Sequence, residues 1–116
     1  MNLQVKRVYE DADDGDGDGF RVLVDRLWPR GVSKERAALG LWAKEVAPST
    51  ELRTWFHAHP GEFAEFSRRY RAELKDNPEV GRLRGKLTGH PVITLLYAVH
   101  DTEHNHAQIL AEVLAG

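Results

Sequence analysis

The sequence predicts a single α/β domain, residues 1–116, in which a mostly parallel sheet lies between two layers of helices. This is a three-layer sandwich, and three observations predict it. Segments with strand periodicity alternate with segments of helical periodicity along the chain. Residues 91–99 are apolar almost throughout, as expected of a parallel strand covered on both faces. With 116 residues and a hydrophobic fraction of 41%, the chain is long enough to bury one core but short for two.

The N-terminal part contains two predicted strands. Residues 3–8 alternate loosely between apolar and polar side chains and predict a short, half-exposed strand. Residues 11–19 are acidic and rich in glycine, which predicts a flexible loop because they offer nothing to bury. Residues 20–25 are apolar and β-branched and predict a central strand, which ends where Pro29 and Gly31 disrupt the ladder. Antiparallel pairing of these two strands across the acidic loop is left open.

The middle of the chain predicts mainly helix. Ser33 can cap a short helix that runs to residue 39, and residues 41–46 predict a third strand. A helix introduced at Ser49 carries its apolar residues on one face. Residues 61–75 give the clearest helical pattern, and residues 79–87 predict another short helix before a glycine.

The C-terminal part predicts the strand 91–99, placed in the middle of the sheet, and a last helix from residue 102 or 103 to 115. Ligands of such folds collect at the carboxyl ends of the strands. That edge is expected to gather polar residues that follow two strands: Asp25, Arg26, Trp28 and Arg30 from one, and Tyr97, His100 and Asp101 from the other.

Composition excludes several classes of protein. The formal net charge is −2, so there is no global reason to expect nucleic-acid binding, and acidic neighbours offset the basic cluster around Arg68 and Arg71. The absence of cysteine excludes disulfides, thiolate nucleophiles and Cys-based metal sites. Because no leader pattern or membrane-spanning segment is found, we expect a cytoplasmic protein with no membrane partner.

Three blocks carry a resemblance to a known family. Residues 22–35 read VLVDRLWPRGVSKE, residues 42–49 read WAKEVAPS, and residues 95–101 read LLYAVHD before the HNH of 104–106. Together they resemble the YeaO-like proteins, the domain of unknown function 488 group, over nearly the whole chain. The resemblance implies no settled activity. The wider group often has Cys before the His that matches His106, where this chain has Asn105.

The first candidate chemistry is an anion site. Arg26 and Arg30 can supply bidentate donors, and the amides that open the last helix add the positive end of a helix dipole. Trp28 could stack on the ligand or shield it from water. The alternative is that one arginine pairs with Asp25 or Glu45 while Arg30 lies in solvent. The other residues that we assign to ligand binding are Lys44, Arg53, Tyr97, Asp101 and Asn105.

Acid–base catalysis and metal binding are further candidates. His100 or His106 could act as a base with Asp25 as the orienting carboxylate, although no nucleophile motif accompanies them. A divalent metal could use residues of the 100–106 segment, but side chains two positions apart on a helix diverge. A calcium-loop spacing also occurs, but it lacks flanking helices and runs into a predicted strand, so a solvated loop is the default interpretation. The two metal-ligand sets are His100, Asp101, His104 and His106, and Asp14, Asp16, Asp18, Gly19 and Asp25.

These candidates lead to two hypotheses. The first is a small cytoplasmic enzyme or ligand-binding domain that recognises a phosphate-bearing or carboxylate molecule through the Arg/His edge. The second is a non-catalytic interaction or regulatory protein whose DRLWPRG loop, residues 25–31, is a structural clasp or a partner surface. A pocket lined by the arginines favours the first, and arginines buried in ion pairs with Asp25 and Asp101 favour the second. The sequence does not identify a cofactor.

Overall fold

Four parallel strands form one sheet in a computed structural model that describes residues 2–10 and 17–116. They are β1 (Asn2–Arg7), β2 (Phe20–Leu23), β3 (Leu41–Trp42) and β4 (Val92–Tyr97), in the order β1-β4-β2-β3. The prediction that residues 91–99 supply a strand in the middle of the sheet is confirmed. The first strand pairs in parallel with β4, so it does not pair antiparallel with β2 across the acidic loop.

In the described part of the chain, five α-helices and one 3₁₀ turn pack around the sheet. They are α1 (Lys34–Ala37), the 3₁₀ turn (Lys44–Val46), α2 (Thr50–Ala58), α3 (Phe63–Lys75), α4 (Glu79–Leu87) and α5 (His106–Ala115). The hydroxyls of Ser33 and Ser49 accept hydrogen bonds from backbone amides in the first turns of α1 and α2, as their positions in the sequence predict. Within the described residues, no helix is long and apolar enough to cross a membrane.

Side chains of alternate strand residues enter two cores of unequal size. Val22, Ile93 and Leu95 lie in the larger core with α2, α3, α4 and α5. Leu23 and Leu96 point to the opposite face, where a smaller core includes Ala37 of α1. Helices α2 to α5 therefore cover one face of the parallel sheet, and the short helix α1 with neighbouring loop residues covers the other, which confirms the predicted α/β class. The alternation also explains why β4 is apolar at almost every position.

Two predicted elements are shorter in the structure. Residues 41–46 were expected to form a strand, but the strand ends at Trp42 and the chain turns into the 3₁₀ segment. The last helix begins at His106, not at residue 102 or 103, because Asn105 caps it by accepting a hydrogen bond from Gln108 N at 3.1 Å. Asp101 instead accepts backbone hydrogen bonds within the turn that precedes the helix.

The end of the predicted acidic loop is packed into the fold. Residues 11–16 lie outside the described residues, but Asp18 is buried and its carboxylate contacts Arg21 and Lys6. Gly19 has a φ of +60°, and a Cβ there would lie 2.2 Å from the Val92 carbonyl oxygen. A residue with a side chain cannot occupy this position without displacing the start of β4.

We therefore expect Gly19→Ala to lower the free energy of unfolding by at least about 1–3 kcal/mol, since it adds both backbone strain and a clash. Urea denaturation measures the change. The control is Gly85→Ala on the exposed side of α4, where a Cβ would contact no other atom. This substitution should raise the free energy of unfolding by up to about 1 kcal/mol, because alanine has the higher helix propensity. Equal effects of the two substitutions would contradict the proposed close approach of Gly19 to β4.

Candidate functional site

A cavity of about 600 Å³ lies at the carboxyl edge of the sheet. Its wall is formed by residues from five parts of the chain: residues 25–30 after β2, residues 47–48 after the 3₁₀ turn, residues 53–60 of α2 and its end, Phe66 of α3, and residues 98–106 after β4. All four strands are parallel, so their carboxyl ends meet at this one edge. The cavity is therefore where the sequence predicts a site.

Asp25 connects three strand ends at the floor of the site. Its carboxylate Oδ2 accepts a hydrogen bond from Ala98 N at 3.1 Å, immediately after β4. Its backbone carbonyl accepts a hydrogen bond from the Trp42 indole at 2.8 Å, at the end of β3. Its other carboxylate oxygen lies 2.9 Å from His106 Nε2, at the start of α5. Asp25, a single residue in the loop after β2, thus contacts the neighbouring elements that form the cavity.

Two oxygen atoms lie close to one ring nitrogen of His106. Its Nε2 lies 3.1 Å from the Val24 carbonyl oxygen as well as 2.9 Å from Asp25 Oδ1. The directed hydrogen bond goes to the carbonyl, and the carboxylate oxygen attracts the same N–H group through its charge. Because a carbonyl can only accept, Nε2 carries a hydrogen, and Nδ1 is the nitrogen that remains to accept a proton.

Three arginines line the cavity. The Arg26 guanidinium donates to the carbonyls of Ala47 and Pro48, at 3.2 and 3.4 Å, and so holds the segment that leads into α2. Arg30 and Arg53 are exposed. Across residues 2–10 and 17–116, no carboxylate forms an ion pair with any of the three. Asp25 is close to His106 instead, so the predicted alternative of an arginine paired with Asp25 or Glu45 is not found.

Asp101 is also engaged away from the arginines. Its Oδ1 accepts hydrogen bonds from the amides of Glu103 and His104, both at 2.9 Å, and its Oδ2 lies 3.1 Å from His104 Nδ1. The hydrogen bond from the His104 backbone amide, and after it the one from the Glu103 amide, lowers the pKa of Asp101 below its ordinary value. The negative charge of Asp101 therefore fixes the turn at 101–104.

Tyr70 supports the site from beneath without lining it. Its hydroxyl donates to the Val46 carbonyl at 2.6 Å, and its ring meets the His106 ring edge to face at 6.3 Å. Burial raises the pKa of Tyr70 above its ordinary value, and the nearby carboxylates of Glu73 and Asp25 raise it further. The phenol therefore stays neutral and remains a hydrogen-bond donor.

Most of the predicted site residues come together at the cavity. Trp28 lines it with a fixed ring, because its indole N–H donates to the Val32 carbonyl at 2.7 Å and its ring packs against Trp42. Asn105 is buried and caps α5, and its side-chain amide also donates to the Asp101 carbonyl at 2.9 Å. The predicted residues in the wall are Asp25, Arg26, Trp28, Arg30, Arg53, Asp101, Asn105 and His106.

Three predicted residues do not reach the cavity. Lys44, which was assigned to ligand binding, lies in the 3₁₀ turn with its ammonium 5.1 Å from the centre of the Trp42 ring and outside the cavity lining. Tyr97 lies in the larger core, where burial raises its pKa. His100 is exposed in the turn after β4 and is outside the cavity lining.

The predicted metal ligands are also dispersed. His104 is close to Asp101 while His106 contacts Asp25, so the 100–106 segment does not converge on one point. In the chain as described, no cluster of three or more His, Cys, Asp or Glu side chains could hold a metal ion. Of the calcium-spaced residues, Asp14 and Asp16 lie outside the described ranges, and Asp18 is already engaged with Arg21 and Lys6.

Several wall residues were not predicted. His57 lies on the same helix as Arg53, and this i, i+4 spacing is a signal that would have placed both on one face of α2. Phe56 and Phe66 belong to the apolar faces of α2 and α3, and both also reach the cavity. Leu27 and Val99 follow strand ends, and their sequence context gave no signal that they stay exposed.

The similarity to known proteins covers nearly the whole chain. A sequence model of the family described as the inactive DUF488-N3 subclade matches residues 2–116. The uncharacterised protein Rv3073c of Mycobacterium tuberculosis is 48% identical over 114 residues, which are 98% of this chain and 94% of the relative. The uncharacterised protein YeaO of Escherichia coli is 46% identical over 98% of this chain and 97% of its own length. No solved structure matches this chain significantly.

We expect Asp25→Ala to lower the free energy of unfolding by about 1–3 kcal/mol, because it leaves the Ala98 amide without its acceptor. Asp25→Asn keeps an acceptor oxygen and should cost less. Chemical denaturation measures both, with Asp76→Ala as the control because Asp76 is an exposed carboxylate at the end of α3. If Asp25→Ala and Asp76→Ala cost the same, Asp25 does not hold the strand ends together.

The turn at 101–104 should depend on pH through Asp101. Its pKa is lowered in the folded protein, so its stabilising effect is present above the unfolded pKa and is lost as pH falls through the folded pKa. NMR titration of the Glu103 and His104 amide shifts should report a midpoint below about 3.9, the ordinary value for Asp. Asp101→Asn should abolish the transition. A midpoint at or above the ordinary value would contradict the assigned hydrogen bonds.

Proposed function

The chain belongs to the DUF488 family, in its inactive DUF488-N3 subclade, and we propose that it binds a small phosphate-bearing or carboxylate molecule in the cytoplasm without converting it. The ligand site is the cavity at the carboxyl edge of the sheet. Arg26, Arg30 and Arg53 are its anion donors. The observation that carries the proposal is the presence of three arginines on one cavity wall without a carboxylate partner in the described chain.

The balance of charge around the cavity supports an anionic ligand. Its wall has three arginines and two aspartates, and both aspartates have other contacts, Asp25 with Ala98 N and His106 and Asp101 with its own turn. Arginine presents five N–H donors in a planar fork that matches the oxygens of phosphate or carboxylate. Arg26 uses part of this fork on two backbone carbonyls, which fixes its position and leaves further N–H groups for a ligand.

Binding without turnover is favoured by two further points. The family description calls the subclade inactive, and that description agrees with the chemistry of position 105. A cysteine before His106 would place a thiol at the start of α5, where the helix dipole lowers a thiol pKa. Asn105 instead uses its side chain to cap α5 and to bind the Asp101 carbonyl. It cannot act as a nucleophile of that kind.

Acid–base catalysis is the second candidate, and the contact of His106 with Asp25 favours it. The contact orients the imidazole and leaves Nδ1 to accept a proton. Incubation of the protein with an equimolar amount of phenyl phosphate distinguishes binding without turnover from acid–base catalysis of this compound, because hydrolysis releases phenol. We expect the compound to be recovered unchanged by NMR. Release of phenol that His106→Ala abolishes would establish catalysis and contradict our proposal.

The clasp hypothesis assigns a structural role to the 25–31 loop. Two residues of this loop, Asp25 and Arg26, do make structural contacts. Both hold neighbouring backbone segments in place. The feature that would favour a clasp alone is arginines buried in ion pairs with Asp25 and Asp101, and Arg30 and Arg53 are instead exposed at the cavity. We propose that the clasp shapes the cavity in which the ligand binds.

A thermal-shift series with methyl phosphate, phenyl phosphate, acetate and benzoate tests the proposal. A compound at about one hundred times its dissociation constant should stabilise the protein by about 2.7 kcal/mol, a shift of several degrees. The Arg30→Ala/Arg53→Ala double variant should lose most of the shift, and it should fold because both side chains are exposed. Arg68→Ala is the control, since Arg68 is an exposed arginine of α3 outside the cavity.

Two results would contradict anion binding at this site. One is the absence of a shift with any of the four compounds. The other is a shift of the same size in the wild type, in the double variant and in Arg68→Ala. Arg30→Lys refines the positive case, because it keeps the charge but removes the planar fork and should retain only part of the shift.

A further inference from the structure

We infer that the ligand carries an apolar body about the size of a ring beside its anionic group. This inference rests on the proposed function and narrows its ligand class from anions in general to organic anions with an apolar part. Phosphate monoesters and carboxylates of aromatic or similar compounds belong to this class. Four properties of the cavity point to it: its size, the exposure of two hydrophobic side chains, the rigidity of its rings, and the position of apolar residues beside the arginines.

The cavity is much larger than a bare anion. Its volume of about 600 Å³ corresponds to about twenty water molecules at the volume that each occupies in the liquid. Inorganic phosphate has five heavy atoms and would leave most of this space to water. Cavities of this size are typical of sites that enclose an organic ligand. The space beside the arginines therefore has room for a body attached to the anion.

Leu27 and Val99 are hydrophobic side chains that stay exposed. Leu27 is 59% exposed and Val99 is 48% exposed, and they are the two large hydrophobic side chains assigned as exposed across the described ranges. Both line this cavity: Leu27 lies in the loop after β2, and Val99 lies in the loop after β4. Apolar side chains that line a concave site are typical of a ligand-binding surface. An apolar body would remove both side chains from water, which bare phosphate would not.

The apolar wall is rigid and consists largely of rings. Phe56 and Phe66 stack with their centroids 4.3 Å apart, and Trp28 is fixed by its hydrogen bond and by Trp42. The proline rings of the wall add flat surfaces with no rotamer freedom to lose: they are Pro29, Pro48 and Pro60. A preformed wall of this kind binds a flat or compact body at a small cost in conformational entropy.

Charged and apolar groups alternate along the same segments of the wall. Leu27, Trp28 and Pro29 lie between Arg26 and Arg30 in the loop after β2. Phe56 lies three residues after Arg53 on α2, which places the two side chains on one face of that helix. A molecule whose anionic group contacts these arginines therefore has apolar surface next to it. The arrangement fits one molecule with both properties.

Isothermal titration with matched pairs of probes tests this inference. Phenyl phosphate is compared with methyl phosphate, and benzoate with acetate, so that each pair shares its anionic group and differs in its body. Burial of about half of a ring predicts a dissociation constant about tenfold lower for the larger member of each pair. The Leu27→Asn/Val99→Asn variant should narrow that difference to about threefold or less. It should stay folded, because both side chains are largely exposed.

The outcomes separate this inference from the proposed function. Equal binding of the two members of each pair, still dependent on Arg30 and Arg53, would overturn the apolar body and leave anion binding intact. An unchanged preference for phenyl phosphate in a folded Leu27→Asn/Val99→Asn variant would also overturn it. Phenol or benzyl alcohol binding as tightly as phenyl phosphate would overturn both, because no anion would be needed. Unfolding midpoints of each variant show whether it is folded.

Discussion

The structure of this edge depends on the contacts of Asp25. Four parallel strands end at one edge, and each must turn away there into a loop that has no ladder to satisfy its backbone. Asp25 supplies hydrogen-bond partners at two of these exits, to the Ala98 amide after β4 and to the Trp42 indole at the end of β3. It also contacts the His106 imidazole at the start of α5. Without it, the loops after β2, β3 and β4 would have no common point of attachment.

The same contacts determine the charge of the cavity. Because Asp25 is committed to Ala98 and His106, and Asp101 to the turn before α5, the two carboxylates of the wall are not available to the arginines. Arg26 is fixed by backbone carbonyls, which are neutral, so its positive charge is not cancelled. The fold thus uses these two acidic groups for support. In the function that we propose, the arginines bind the ligand, so that a structural clasp and a binding site share one loop.

The sequence predicted the architecture better than it predicted the details. Residues 91–99 are apolar without alternation, and this pattern correctly indicated a central parallel strand. It also indicated the sheet edge at which Asp25 and Arg30 line one cavity. The partner of β1 was not predictable, because a short half-exposed strand carries no record of which neighbour it pairs with. Asp18 resembled the rest of an acidic loop, and its burial against Arg21 depends on a tertiary contact.

The limits at the site have a similar cause. Tyr97 and Lys44 were predicted to be site residues from their positions near strand ends, but position alone does not specify direction. Tyr97 alternates into the larger core, and the 3₁₀ turn directs Lys44 over Trp42. Phe56 and Leu27 belong to the wall because α2 and the loop after β2 approach each other in three dimensions. Helical and strand periodicity describe single elements, so neither could show this.

The most direct test of the account is a heteronuclear NMR titration of ¹⁵N-labelled protein with phenyl phosphate. Binding in the cavity predicts saturable shifts of the backbone amides of residues 26–28, 30 and 98–106 and of the side-chain Nε groups of Arg30 and Arg53, while the amide signals of α4 do not shift. Shifts confined to the arginines of α3, or shifts that never saturate, would contradict the claim that this edge of the sheet is a specific site for an organic anion.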